Sequence, residues 1–208
     1  MKKLLFTIAA FSVLAVSCDK EDDLTPTTPT TPTTPTTPAT NVKAGSKFTY
    51  QRTDYDNQTG TTVVSTTQYT LTMLRDSTIN NEKWFIAERK DAAGTQYGLL
   101  KFAADGMYNF RNGSGKMDFK FNAAANDTWT NSNDESVVVK SINQSVTVPA
   151  GSYTNAIHIE TSDANSMENK IWYNDKEYLL KQEEYDESPT QAGVMILDYK
   201  DELVSIQL

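Results

Sequence analysis

The stretch Ala104-Asp105-Gly106-Met107-Tyr108-Asn109-Phe110-Arg111-Asn112-Gly113-Ser114-Gly115-Lys116-Met117-Asp118-Phe119-Lys120-Phe121-Asn122 decides the fold. Asp105-Gly106 is the strongest hairpin-turn signal in the chain, and Asn112-Gly113-Ser114-Gly115 closes a second hairpin. Between and after them the side chains alternate. Met117, Phe119 and Phe121 fall on one face, Asp118, Lys120 and Asn122 on the other, which is a strand with one buried and one wet side. The same period of two extends in both directions. Phe48 and Tyr50 alternate with polar neighbours ahead of the turn-rich run 54–60, and Tyr69, Leu71 and Met73 follow it. Strands are further expected over 84–89, 97–102, 107–110, 137–142, 146–148, 153–161, 171–173, 178–185, 194–199 and 203–208. No stretch of a dozen residues carries a helical period. The expected fold is all-β: an antiparallel meander of about 10–12 strands with few or no helices, too long to stay flat and therefore a barrel, a half-barrel or a curled sandwich.

Charge narrows the partners. The chain has 19 Lys plus Arg against 27 Asp plus Glu, a net charge of −8. Nucleic acid is a poor partner, since affinity there comes from clustered cations that neutralise phosphates. One cysteine, Cys18, and one histidine, His158, leave no internal disulfide and too few thiolates and imidazoles for a transition-metal site. No metal or cofactor is expected.

The first forty residues are an address. Lys2 and Lys3 precede an apolar run from Leu4 to Val16, too short to span a bilayer at about 20 residues, so it reads as an export signal. Leu14-Ala15-Val16-Ser17-Cys18 resembles the lipobox of bacterial lipoproteins, which implies cleavage after residue 17 and lipidation of Cys18. The following Asp19, Lys20, Glu21, Asp22 and Asp23 resemble the surface-export signal of Bacteroidota lipoproteins. From Thr25 to Thr40 the prolines recur every third residue, matching a polyproline II helix and giving a semi-rigid rod of roughly 50 Å. The expected organisation is a signal peptide over 1–17, a lipidated, acidic and Thr/Pro-rich tether over 18–41, and an all-β domain over 42–208. Asp76-Ser77-Thr78 matches the Bacteroidota O-glycosylation pattern, making Ser77 a candidate acceptor.

Gly45 to Tyr50, the Val148-Pro149-Ala150-Gly151 turn leading to Tyr153, Ile171-Trp172-Tyr173, and Tyr178 to Lys181 with Glu202 to Ser205 look like a group of Bacteroidota-type lipoprotein β-domains. The pattern is also reminiscent of the curled sheets of periplasmic lipoprotein carriers, and that resemblance implies a lipid-sized concavity.

No catalytic motif stands out. His158 lies between Ile157 and Ile159 and is expected on the outer face with Glu160. Asp54-x-Asp56-x-Gln58 has calcium-loop spacing at its start but lacks the later Gly and Glu, so a turn explains it better. Glu183 to Glu187 reads as the solvated end of a strand. Trp84, Trp129, Trp172, Tyr97, Tyr108 and Tyr173 are expected mainly in the core, with a sugar-stacking platform the alternative. The expectation is a non-enzymatic, membrane-anchored binding module in the outer membrane at the cell surface, with the periplasmic face as the other address. Its ligand would be a glycan, a lipid or an envelope protein. The rivals are a carrier with an apolar cavity and a hydrolase using a carboxylate pair.

Overall fold

A computed structural model describes residues 40–162 and 168–208. No helix occurs among them. Twelve strands form one antiparallel sheet: β1 (Lys47–Tyr55), β2 (Val63–Ile79), β3 (Glu82–Asp91), β4 (Gly94–Phe102), β5 (Gly106–Arg111), β6 (Ser114–Lys120), β7 (Thr128–Thr130), β8 (Ser136–Val148), β9 (Gly151–Ser162), β10 (Glu168–Asn174), β11 (Tyr178–Glu187) and β12 (Met195–Gln207). The spatial order runs from β6 back to β1, crosses to β12, and runs back to β7. β1 and β12 are thus hydrogen-bonded neighbours, and among the described residues the only sequential pair of strands without a ladder is β6 with β7. The sheet closes almost completely into a barrel.

Side chains seal that remaining seam. Lys120 Nζ meets Asp127 Oδ2 at 2.7 Å, Lys116 pairs with Asp134, and the Ser132 N–H donates to Asp118 Oδ1 at 2.9 Å. From across the barrel, the Tyr173 hydroxyl donates to the Lys120 carbonyl at 2.8 Å. Closure by ion pairs in place of a ladder lets a sheet end without presenting a bare edge.

The turns follow their chemistry. Asn112 and Gly113 both take left-handed backbone, φ 50° and 81°, as a two-residue hairpin turn requires. Gly106 serves another purpose: its φ is ordinary, but a Cβ there would strike the Phe119 carbonyl. Two pairs of expected strands prove to be single long ones. The segments at 137–142 and 146–148 join in β8, whose register shifts near Ser141 and Gln144, and those at 194–199 and 203–208 join in β12. β7 was not expected; three residues are too few to show a period.

A bulge corrects the reading of the deciding stretch. Phe119 pairs with Met107 and Met117 with Tyr108, which leaves Asp118 as the extra residue on β6. A bulge breaks the alternation, so Met117 and Phe119 do not share a face as a strict period of two demands. Asp118 is turned toward the interior rather than toward water.

The barrel interior has two unlike halves. At the end where residues 40–46 lead into β1, Phe48, Met73, Val139, Leu180 and Leu203 are fully buried, and Tyr178 meets the rings of Phe48, Phe102 and Phe119 at 5.9, 5.8 and 5.3 Å. Packed aromatics of this kind supply much of the burial a β domain needs. Val42 joins this core, so packing begins before the first strand. The opposite end, toward the 56–62 and 188–194 loops, is polar.

Candidate functional site

The polar half is built from residues in the inward phase of their strands. On β1 the alternation Phe48, Tyr50 continues to Arg52, and on β12 Leu203 is followed inward by Asp201, directly across from Arg52. Arg52 Nε and Nη2 donate to the two carboxylate oxygens of Asp201 at 2.9 and 2.7 Å, and the Tyr69 hydroxyl adds a third bond to Asp201 at 3.1 Å. The Tyr199 ring lies 3.7 Å from the Arg52 guanidinium, and its hydroxyl donates to Glu184. The Gln182 amide donates to Asn169 at 3.3 Å, and the Asn169 amide to Thr161 at 3.2 Å. Each of these inward polar groups has a partner, as buried polar groups generally do.

Two compartments open from this end, meeting at Tyr178 and Leu179. One, about 260 Å³, is bordered by Asp118, Glu135 and Glu184 together with Asn, Gln and Tyr side chains. The other, about 310 Å³, lies behind a split in the wall. The β4–β5 ladder covers only Leu100 with Asn109, Lys101 with Tyr108, and Phe102 with Met107. Residues 94–99 of β4 pair with β3 alone, leaving a slit between β4 and β5. Behind it Ala87 and Gly98 are cross-strand partners, and a Cβ on Gly98 would meet nothing within 4 Å. Small residues at this point hollow the wall; a glycine inside a strand marks such a place.

Tyr178, the floor common to both compartments, has φ 76°. A bulky residue in left-handed backbone costs about 1–3 kcal/mol and persists only where packing holds it. Here three aromatic neighbours do so.

Charge is sorted between the compartments. In the acidic one, burial raises the pKa of Asp118, overcoming the Ser132 hydrogen bonds that favour its carboxylate, and burial likewise raises Glu184. Both move in the same direction. An acid/base pair needs partners pushed apart, so the shifts do not assign these two carboxyls to proton donation and abstraction. They do affect stability. An acid whose folded pKa is raised contributes stability that is present below about pH 4 and lost as pH rises through its folded value. Asp118→Asn should therefore be more stable than the parent at pH 7, with the gain shrinking as pH falls toward 4, measured by urea unfolding across that range. A variant less stable than the parent at pH 7 would refute this.

Cys18 and Asp19 to Asp23, singled out in the sequence, lie outside the described residues. Ser77 is half-buried within β2, opposite Trp84 on β3. His158 is on the outer face, stacked on Trp172 at 4.5 Å, and burial lowers its pKa. Asp56 accepts backbone N–H bonds from Gln58, Thr59, Thr61 and Thr62, which hold its pKa far below the usual carboxylate range; the carboxylate serves its own turn. Glu183 and Glu184 do not form a uniformly solvated end, since Glu184 turns inward and Glu183 pairs with Lys181 at 2.6 Å. Of the six aromatics, Tyr173 is in the core and Trp84 is buried outside it, on the outer face of the wall, whereas Tyr97 is 66 % exposed at the rim of the slit and Trp129, Trp172 and Tyr108 are half-buried. Sequence reasoning missed Arg52, Arg89 and Asp201. Their signal is a charged residue in the inward phase of an otherwise apolar strand.

No protein-family model matches the chain, and no curated relative does. Among solved structures, a protein described as exported, with a YmcC-like fold, from Bacteroides fragilis superposes with a TM-score of 0.51 at 11% identity, covering 80% of this chain and 97% of its own. A protein described as a lipoprotein from Parabacteroides distasonis gives a TM-score of 0.39 at 13% identity over 79% and 96%. The first of these likenesses shows the fold.

Proposed function

We propose that this is a lipid-anchored envelope lipoprotein whose barrel is a non-catalytic binding module, taking a small ligand into the polar half of its interior. The observation that carries the reading is the hollow behind the β4–β5 slit, open to solvent and floored by a strained tyrosine. Its volume of about 310 Å³ is at the lower end of ligand pockets. Cys18 is the acyl acceptor, and the acidic run after it directs the protein to the outer membrane surface. The exported description of the Bacteroides fragilis protein of the same fold accords with that address. Residues 40–46 enter the barrel at its apolar end, and the 56–62 and 188–194 loops lie at the polar one.

A specific observation favours a second reading. A cavity of about 630 Å³ lies beside residues 40–44, where Val42, Ala44, Phe85 and Phe102 form an apolar wall and Lys43, Asp76 and Lys83 a charged one, and it has room for the cargo of a carrier. Native mass spectrometry of the protein taken from its own membrane separates the two. The module reading expects acyl groups on Cys18 and a polar small-molecule adduct that Gly98→Phe, by filling the hollow, abolishes. An adduct of lipid mass that survives Gly98→Phe makes the protein a carrier, and no adduct at all overturns the module.

A further inference from the structure

We infer that the slit compartment recognises a carboxylate, with Arg89 and Arg111 as its anchors. This rests on the binding-module reading and names the ligand class for that site. In a chain of net charge −8, the residues bordering this compartment include two arginines and no Asp or Glu. The adjoining compartment has the reverse, three acids and no Lys or Arg. Such sorting across a shared floor gives the slit a local field opposite to that of the whole protein.

Arg89 is held ready. Its guanidinium lies 4.3 Å from the Tyr69 ring, which is itself held by stacking on Tyr50 at 5.1 Å. Arg52, on the next strand but one, spends its donors on Asp201. Arg89 is less engaged: it forms a loose ion pair with Asp91 at 3.9 Å, beyond hydrogen-bond reach, and no hydrogen bond from its guanidinium is found among the described residues. A ligand carboxylate would accept from the terminal nitrogens of the guanidinium, in the charge-assisted geometry that arginine favours. Arg111 enters from β5, on the far side of the slit, within the field of Asp118, whose carboxylate also takes the Asn109 amide. Gln96 adds an amide that can bond hydroxyls or amides on the ligand body. The remaining acid at the rim, Glu88, accepts the Tyr97 hydroxyl at 3.1 Å.

The test is calorimetric titration of the full mature chain at low salt with glucuronate, glutarate, glucose and inorganic phosphate. Glucuronate or glutarate should bind, glucose should not, and added salt should weaken the binding. Which carboxylate wins tells a sugar acid from an aliphatic one. Arg89→Gln and Arg111→Gln should each lower affinity roughly tenfold to a hundredfold, and Gly98→Phe should abolish binding. Arg111 is exposed, so Arg111→Gln should melt with the parent, and its loss of binding cannot be a failure to fold. Failure of both carboxylates to bind, equal binding of glucose, binding of phosphate alone, or full affinity in Arg111→Gln overturns the inference. A neutral or cationic adduct in native mass spectrometry, abolished by Gly98→Phe, would sink the carboxylate and leave the binding module standing.

Discussion

Asp201→Ala should destabilise the barrel by about 3 kcal/mol, lowering its melting temperature by roughly 10 °C for a domain of this size. The Asp201 side chain is only 3% exposed and takes three hydrogen bonds, two from Arg52 and one from Tyr69. Removing it strands the guanidinium of Arg52, a side chain only 24% exposed and held against Tyr199. The cost is that of an uncompensated charge, not the worth of the pair. The double variant Arg52→Met with Asp201→Leu should consequently recover most of the loss, because apolar residues of similar size remove both desolvation penalties together. A single variant that loses less than about 1 kcal/mol, or a double variant worse than the single, would contradict this account of the interior.

Trp84→Ala should cost about 3–5 kcal/mol, although Trp84 lies on the outer face of the wall. It is 1% exposed because the outside of β3 to β6 is built around it. Phe110 meets its ring edge-on at 5.2 Å, Lys101 Nζ lies 5.1 Å away, and Gly115 leaves the space that its six-membered ring fills. Truncation empties that space, and the rigid strands beneath cannot collapse into it. Trp84→Phe should lose much less, since it keeps a ring and removes an indole N–H that has no partner among the described residues. Urea unfolding followed by the fluorescence of Trp129 and Trp172 measures both.

The architecture was legible because one physical fact, side chains alternating across a strand, is repeated in almost every segment. It sufficed for an all-β fold, for antiparallel neighbours and for His158 on the outside. It failed where the phase breaks. Asp118 reads as a wet-face residue until the bulge on β6 is known, and a bulge depends on pairing, not on local composition. The candidate site was hidden for a related reason. Arg52, Arg89 and Asp201 sit in the inward phase, yet a charge among apolar residues reads as an interruption unless its partner, 149 residues away for Arg52, is known to lie beside it. Gly98 carried the one local clue, a glycine in mid-strand, and its meaning required the β4–β5 ladder to stop short.

The pairing of β1 with β12 dictates when this chain can finish folding. A nascent polypeptide, made from its N-terminus, presents β1 before β12, so the two strands that join the halves of the sheet meet only when β12 has been made. Topologies dominated by such distant contacts fold slowly, because the loop between partners must be ordered before contact rewards it. Until then β1 waits with one flank unpaired, and the barrel cannot be completed. Synthesis and closure of the sheet are thereby placed in order by the connectivity alone.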